Sequence, residues 1–387
     1  MSCSSDKPTR TRPADLAVTP SVTPSVTPSV APQAAPSAGS STAPQDGRQD
    51  GRLASSLDRA IALALENRAL DADAVRAVCA CAEADQSRLL PQLLEGARAV
   101  RRKHLGQTLS LCAIVNAKSG ACTEDCAFCA QSSRHKTDSP RHGFLAPEEI
   151  GRAAAAMKAR GAHRFGIVAS GLTPTGAEFE KLLRAVGLVR AAGLAADVSV
   201  GVLTRERLLR LKEAGLAGVH HNLEVARSFF PQICTTHSYE DDVEAVRLAL
   251  AEGLFVCSGG IFGLGESVAQ RAELAATLRE LGVGNVPMNF LIPILGTRMA
   301  HRPVLSPAEA LHTVALFRLM LPTAQLRICG GRGTVFGPSG GAGQRALFDS
   351  GASGLMIGDY LTIAGAPPEA DLELARDMGF SLSETEA

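Results

Sequence analysis

The chain has 387 residues, with 39 Lys and Arg balanced by 39 Asp and Glu. A neutral chain carries no basic stripe to draw nucleic acid or anionic lipid, and no apolar run reaches the roughly 18 residues of a membrane span. The opening MSCSSDKPTRTRPADL lacks the apolar stretch of a secretory signal, so the cytoplasm is the expected location. There the 10 cysteines read as core thiols, metal ligands or catalytic groups rather than a disulfide framework.

Residues 18–32, VTPSVTPSVTPSVAP, repeat Pro too densely for helix or central strand and bury too little apolar surface to fold. A disordered tail is expected over 1–52. Leu57, Ile61, Leu65, Val75, Val78, Leu89, Leu90, Leu93 and Leu94 then fall at helical spacings, which predicts a helical segment over 53–104.

From residue 108 short apolar runs recur at 108–115, 163–170, 195–203, 218–224, 254–263, 285–294, 325–333 and 354–361. Helical stretches separate them at 147–160, 177–192, 204–214, 239–252, 266–281, 307–321 and 340–351. Several open with Pro, Thr or Ser close to a Glu, as in Ala146-Pro147-Glu148-Glu149 and Ser306-Pro307-Ala308-Glu309, which suits a helix start. Eight strands alternating with helices predict an α/β fold, a (βα)₈ TIM-type barrel over 105–365, with a helical extension over 366–387. A doubly wound open sheet is the competing architecture. Either one puts chemistry at the C-terminal ends of the strands.

Directly after the first strand, Cys122, Cys126 and Cys129 follow the spacing Cys-x₃-Cys-x₂-Cys. Structural zinc normally takes four ligands, and His135 is the one nearby candidate to complete such a set. A [4Fe–4S] cluster held by three thiolates instead keeps one iron open to chelate a substrate. The amino and carboxylate groups of S-adenosylmethionine suit that position.

In these residues the sequence resembles the radical S-adenosylmethionine enzymes, and across 55–380 more narrowly the biotin synthases. The resemblance is carried by NAKSGACTEDCAFCAQSSRHKT (116–137), HHNLE (220–224), CSGGIFGLGE (257–266), VPMNFLIPILGT (286–297), LRICGGR (326–332) and GDYLT (358–362). It implies a [4Fe–4S] cluster on Cys122, Cys126 and Cys129 that cleaves S-adenosylmethionine reductively. The resulting 5′-deoxyadenosyl radical takes hydrogen from dethiobiotin on the way to biotin. It further implies Phe128, Glu224 and Ile261 beside the nucleoside, and Lys118, Asn222 and Asn289 at the substrate. Asn suits a ureido ring because its amide offers both donor and acceptor. A small flavodoxin or ferredoxin as electron donor and a homodimer complete the family picture. The alternative within the class is a related radical enzyme with another substrate, such as a maturase or a carbon-skeleton mutase. His220 and His221 lie on opposite strand faces and are read as hydrogen-bonded barrel residues rather than ligands.

The sequence departs from the family where sulfur is supplied. Family members hold a second, [2Fe–2S] cluster on three Cys and one Arg; here Gly166 and Asp197 stand at two of those Cys positions, leaving Cys257 and Arg327. Cys112, Cys234 and Cys329 are additional, and with Cys257 they are expected to hold an auxiliary cluster, with Arg327 beside it. Buried core cysteines are the other reading. Asp242 stands where the family has an arginine near the methionine carboxylate. Cys3, Cys79 and Cys81 are assigned to no site.

Overall fold

The computed structural model describes residues 46–83, 88–338 and 341–382; the Pro-rich repeat lies outside them. Three helices come first, α1 (Asp46–Leu65), α2 (Ala72–Ala80) and α3 (Leu90–Leu105). α1 begins earlier than residue 53, so the expected tail boundary is corrected. Pro44 is the last proline before it, and no proline within Asp46–Leu65 denies the helix a backbone donor. The apolar stripes of α1 and α3 bury Leu57, Ala60, Leu93, Ala97 and Val100. Asp71 caps α2 by accepting from Ala74 N at 2.9 Å.

The strands are β1 (Thr108–Lys118), β2 (Arg164–Ala169), β3 (Ala195–Ser199), β4 (Leu216–His220), β5 (Phe255–Cys257), β6 (Gly260–Phe262), β7 (Asn285–Phe290), β8 (Gln325–Ile328) and β9 (Gly354–Met356). Every pairing among them is parallel, and β9 returns to β1 through Ser110↔Gly354 and Cys112↔Met356. The sheet closes. β5 and β6 both pair with β7 and are two halves of one stave, so the barrel has eight staves. Gly259 sits in the break, where a Cβ would stand 2.1 Å from the Pro287 carbonyl oxygen. The open-sheet alternative is excluded.

Helices α4 (Pro147–Ala159), α5 (Gly176–Ala191), α6 (Arg205–Glu213), α7 (Tyr239–Ala251), α8 (Val268–Leu281) and α9 (Pro307–Met320) form the outer layer. Thr175, Ser238, Ser267 and Ser306 start four of them with reciprocal capping boxes. α9 is buried from His312 through Met320, because the barrel covers one side and the N-terminal helices the other. Such a helix reads apolar all round. After α10 (Arg332–Phe336) and α11 (Ala342–Asp349), the chain ends in α12 (Pro368–Asp377) and a short strand β10 (Ser381–Leu382) beside the start of β1. The C-terminal extension is therefore helix plus strand, not wholly helical. Among the described residues, no helix is long and apolar enough to cross a membrane.

Candidate active site

A cavity of about 350 Å³ opens at the C-terminal ends of the strands and runs into the barrel. Its mouth is shaped by the loop after β1. Gly120 and Ala121 both take positive φ, 77° and 53°, and turn the chain sharply before Cys122. Cys122 N donates to Gln131 O at 3.2 Å, Ser133 N to Cys122 O at 2.8 Å and Cys129 N to Cys126 O at 3.0 Å. The loop thus folds on itself and brings its three half-buried thiols together. Phe128 and Cys129 reach the cavity wall.

The donor set fits an iron–sulfur cluster better than a single ion. Among the described residues, neither these thiols nor His135 belong to a group of three donors within 4.8 Å of one another. Zinc would need ligands at about 2.0–2.3 Å from one centre, whereas a cluster spreads its thiolates over separate irons. His135 Nδ1 is instead 2.8 Å from Cys129 O and braces the loop.

Along the wall, Asn222, Glu224, Ile261 and Asn289 all face the cavity. Asn289 lies in β7, whereas Asn222 falls two residues beyond β4 rather than within it. Both amides brace strand ends. Asn222 Oδ1 accepts from Gly259 N at 3.1 Å, and Asn289 Oδ1 accepts from Gly330 N at 3.0 Å. Their Nδ2 groups donate to Glu224 Oε2 at 3.3 Å and to Gly260 O at 3.2 Å. Each amide keeps a further N–H and lone pair for a ligand. Glu224 holds φ at 61°, and Gly260 must be glycine beside it, since a Cβ there would lie 2.2 Å from Glu224 O. Burial first, then the Asp242 charge, push the Glu224 carboxyl up to about 8. Burial chiefly drives His220 down to about 4, and its Nδ1 is 3.0 Å from Ser199 Oγ. His221, on the other face, pairs with Asp242 at 2.8 Å.

Lys118 is not brought to the cavity. A register irregularity separates Asn116 from Lys118, and the Lys118 ammonium pairs with Glu178 at 2.8 Å. The structure thus places Lys118 in an ion pair with Glu178 and not among the residues that line the cavity.

Deeper in, Cys112, Cys257, Cys329 and Arg327 line the same cavity. Burial pushes all three thiols up, Cys257 to about 12. Burial opposes the Arg327 charge, but the three thiols outweigh it and hold its pKa above the ordinary value. Its Nη2 also donates to Ser110 Oγ at 3.0 Å. Cys234 does not join them. It sits in the loop after β4 with Sγ 3.9 Å from Cys126 Sγ, so the expected four-thiol set is reduced to three.

The two departed thiol positions are filled differently. Asp197 accepts from Arg164 through Nε–Oδ2 at 2.8 Å and Nη2–Oδ1 at 2.5 Å, and the guanidinium lies 3.5 Å from the Phe255 ring centroid. Sequence reasoning missed Arg164, although it stands two residues before Gly166 and so shares its strand face. It also missed Glu124 and His237, 2.8 Å apart, because no periodicity links the loops that carry them. Asp242 lies 3.4 Å from His237 as well. Burial opposes its ionisation, but hydrogen bonds from His221 and His237 outweigh that and keep its carboxyl below the ordinary value.

A closed parallel barrel with a three-cysteine loop after its first strand defines a radical S-adenosylmethionine enzyme, and the model of that superfamily matches residues 117–278. The Biotin and Thiamin Synthesis associated domain matches residues 287–381. A biotin synthase of Nitratidesulfovibrio vulgaris strain DP4 is 48% identical over 306 residues, covering 79% of this chain and 83% of that one. One from Geobacter metallireducens is 48% identical over 288 residues, covering 74% and 86%. The chain belongs to the biotin synthase family. Solved structures share the fold at lower identity. Methylornithine synthase superposes with a TM-score of 0.72 at 18% identity, over 84% of this chain and 97% of that one. The [FeFe]-hydrogenase maturase HydG of Carboxydothermus hydrogenoformans gives 0.68 at 18% identity, over 88% and 84%.

Proposed function

We propose that this enzyme inserts sulfur into dethiobiotin to form biotin, drawing the sulfur from an auxiliary iron–sulfur cluster on Cys112, Cys257 and Cys329. The observation that carries the reading is one cavity with the three-cysteine loop at its mouth and, deeper in, buried Cys329 and half-buried Cys112 and Cys257 lining it together with Arg327. When bound at Cys122, Cys126 and Cys129, a [4Fe–4S] cluster supplies the electron that cleaves S-adenosylmethionine. The protein's part is positioning and exclusion of water. Phe128, Glu224 and Ile261 offer the nucleoside an aromatic face, an acceptor and an apolar wall. Asn222 and Asn289 present their remaining amide N–H groups to the ureido ring from either side of the β5–β6 stave. Arg327 offsets thiolate charge at the floor and can donate hydrogen bonds to sulfur. A flavodoxin or ferredoxin as reductant, a homodimer as working form and the reducing cytoplasm as setting complete the proposal.

The test has two arms. The gene should rescue a biotin-requiring cell that lacks its own synthase. In anaerobic protein, Cys112→Ser, Cys257→Ser or Cys329→Ser should lower iron content, keep 5′-deoxyadenosine formation and remove biotin formation. Unchanged iron and biotin in all three would sink the auxiliary site. Failure to rescue with iron-loaded protein would sink the substrate.

A further inference from the structure

Cys234 and Cys126 stand with their sulfurs 3.9 Å apart. Among the described residues, no other pair of cysteine sulfurs is in hydrogen-bonding contact. The segments that carry them are fastened to each other on both sides of the sulfurs. Ala127 N donates to Ile233 O at 2.9 Å. Thr235 donates from N and Oγ1 to the Asp125 carboxylate at 2.8 and 2.6 Å. Arg298 Nη2 bridges the two backbones, donating to Asp125 O at 2.9 Å and to Ile233 O at 2.7 Å. Neither thiol can drift away while these bonds hold. A disulfide requires sulfurs about 2.05 Å apart, so closure asks for an approach of roughly 2 Å, within reach of side-chain rotation.

The two thiols differ in access. Cys126 is half-buried on the loop at the cavity mouth, whereas Cys234 is only 3% exposed. An oxidant therefore meets Cys126 first and finds Cys234 behind it, the arrangement of an attacked thiol with a resolving partner.

We propose that Cys126 and Cys234 form a reversible disulfide when the cluster at the mouth is lost, a redox modification site that withdraws Cys126 from iron and shelters it from further oxidation. With a peroxide as oxidant, the Cys126 thiol takes one oxygen to become a sulfenic acid and one water leaves. The Cys234 thiol then attacks that sulfur, the S–S bond forms and a second water departs. A dithiol reductant returns both thiols by exchange. The consequence for iron rests on Cys126 being a cluster ligand; the bond itself does not.

Trypsin separates the partners, because residues 119–134 carry Cys122, Cys126 and Cys129 while residues 228–247 carry Cys234. The full chain is stripped of iron anaerobically, treated with hydrogen peroxide, alkylated and digested without reductant. The expected product is the two peptides joined, two hydrogens lighter than their sum, with fragment ions placing the link at Cys126. Dithiothreitol should abolish it and restore iron loading to the untreated level. In Cys234→Ala, Cys126 should instead carry sulfinic or sulfonic acid, and iron loading after reduction should fall several-fold. Should that variant not fold, the wild-type map decides alone. A link from Cys126 to Cys122 or Cys129, or overoxidised Cys126 with Cys234 fully alkylated, overturns the proposal. Either result leaves the cluster assignment standing if untreated protein still loads iron at the triplet.

Discussion

Asp197→Ala removes half of a buried ion pair whose side chains are 8% exposed for Arg164 and 12% for Asp197. The guanidinium loses its bidentate partner while Phe255 still covers it, and breaking a buried pair from one side costs about 3–5 kcal/mol. In a barrel of this size each kcal/mol moves the melting temperature by roughly 1.5–2 °C, so Tm should fall by about 5–10 °C. Arg164→Met keeps an unbranched side chain against Phe255 and removes the other charge. The double variant Arg164→Met/Asp197→Ala should recover most of the loss, since neither charge is then left buried without the other. Thermal and urea unfolding of the four proteins gives the coupling directly. Iron content should be unchanged throughout, because Asp197 is committed to Arg164 rather than to a metal. An Asp197→Ala protein within about 1 kcal/mol of wild type, or a double variant no more stable than the single, refutes the argument.

Three further outcomes are expected. Cys126→Ala should form no 5′-deoxyadenosine from S-adenosylmethionine under strong reductant; cleavage at the wild-type rate, measured by chromatography, would exclude the triplet as the cluster site. Asn289→Ala strands Gly330 N and Gly260 O as well as any ligand contact, costing about 1–3 kcal/mol, or roughly tenfold to a hundredfold in kcat/KM, and an unchanged value would remove Asn289 from the site. Glu224 has its carboxyl raised from 4.5 to about 8, so the folded chain holds an extra proton between those values and wild-type stability falls as pH rises through them. Glu224→Gln has no such loss, and its Tm advantage should grow from about pH 5 to about pH 8; a difference flat with pH would contradict the burial argument.

Much of the barrel was legible because its signals are local. Pro147-Glu148-Glu149 and Ser306-Pro307-Ala308-Glu309 announce helix starts locally, and α4 and α9 begin there, the second with a reciprocal capping box on Ser306. Arg327 and Cys329 share a face by the two-residue period, and both do line the cavity although β8 ends at Ile328. What failed lies where period is lost. Lys118 follows an irregularity in β1 that redirects it to Glu178. Cys234 belongs to a loop with a short 3₁₀ turn at Phe230–Gln232, and no strand period tells which way such a thiol points. Counting thiols put it in the barrel; the fold put it against Cys126.

The charge at Asp197 explains why the thiols gather where they do. An Asp facing a barrel interior needs a cation, and Arg164 on the neighbouring stave β2 supplies it. Gly218 on β4 makes the room, since a Cβ there would lie 2.5 Å from Asp197 Oδ1 and 2.8 Å from Arg164 Nη2. Gly166 adds space next to Ile114, whose Cγ2 would be 3.1 Å from a Cβ. The wall formed by β2, β3 and β4 is thus closed by an ion pair and two glycines. A cluster cannot be held there, because those positions present no thiol. Cys112 on β1 and Cys329 after β8 stand on the two staves that flank β9, and Cys257 ends β5 across the barrel. Arg327 lines the cavity with them, and it and Cys257 are the two residues that match the resembled family's ligand set. Two of these three thiols thus sit toward the β8–β1 wall, so under the function proposed above the substrate carbon that accepts sulfur would be turned to that side, with its ureido end toward Asn222 and Asn289.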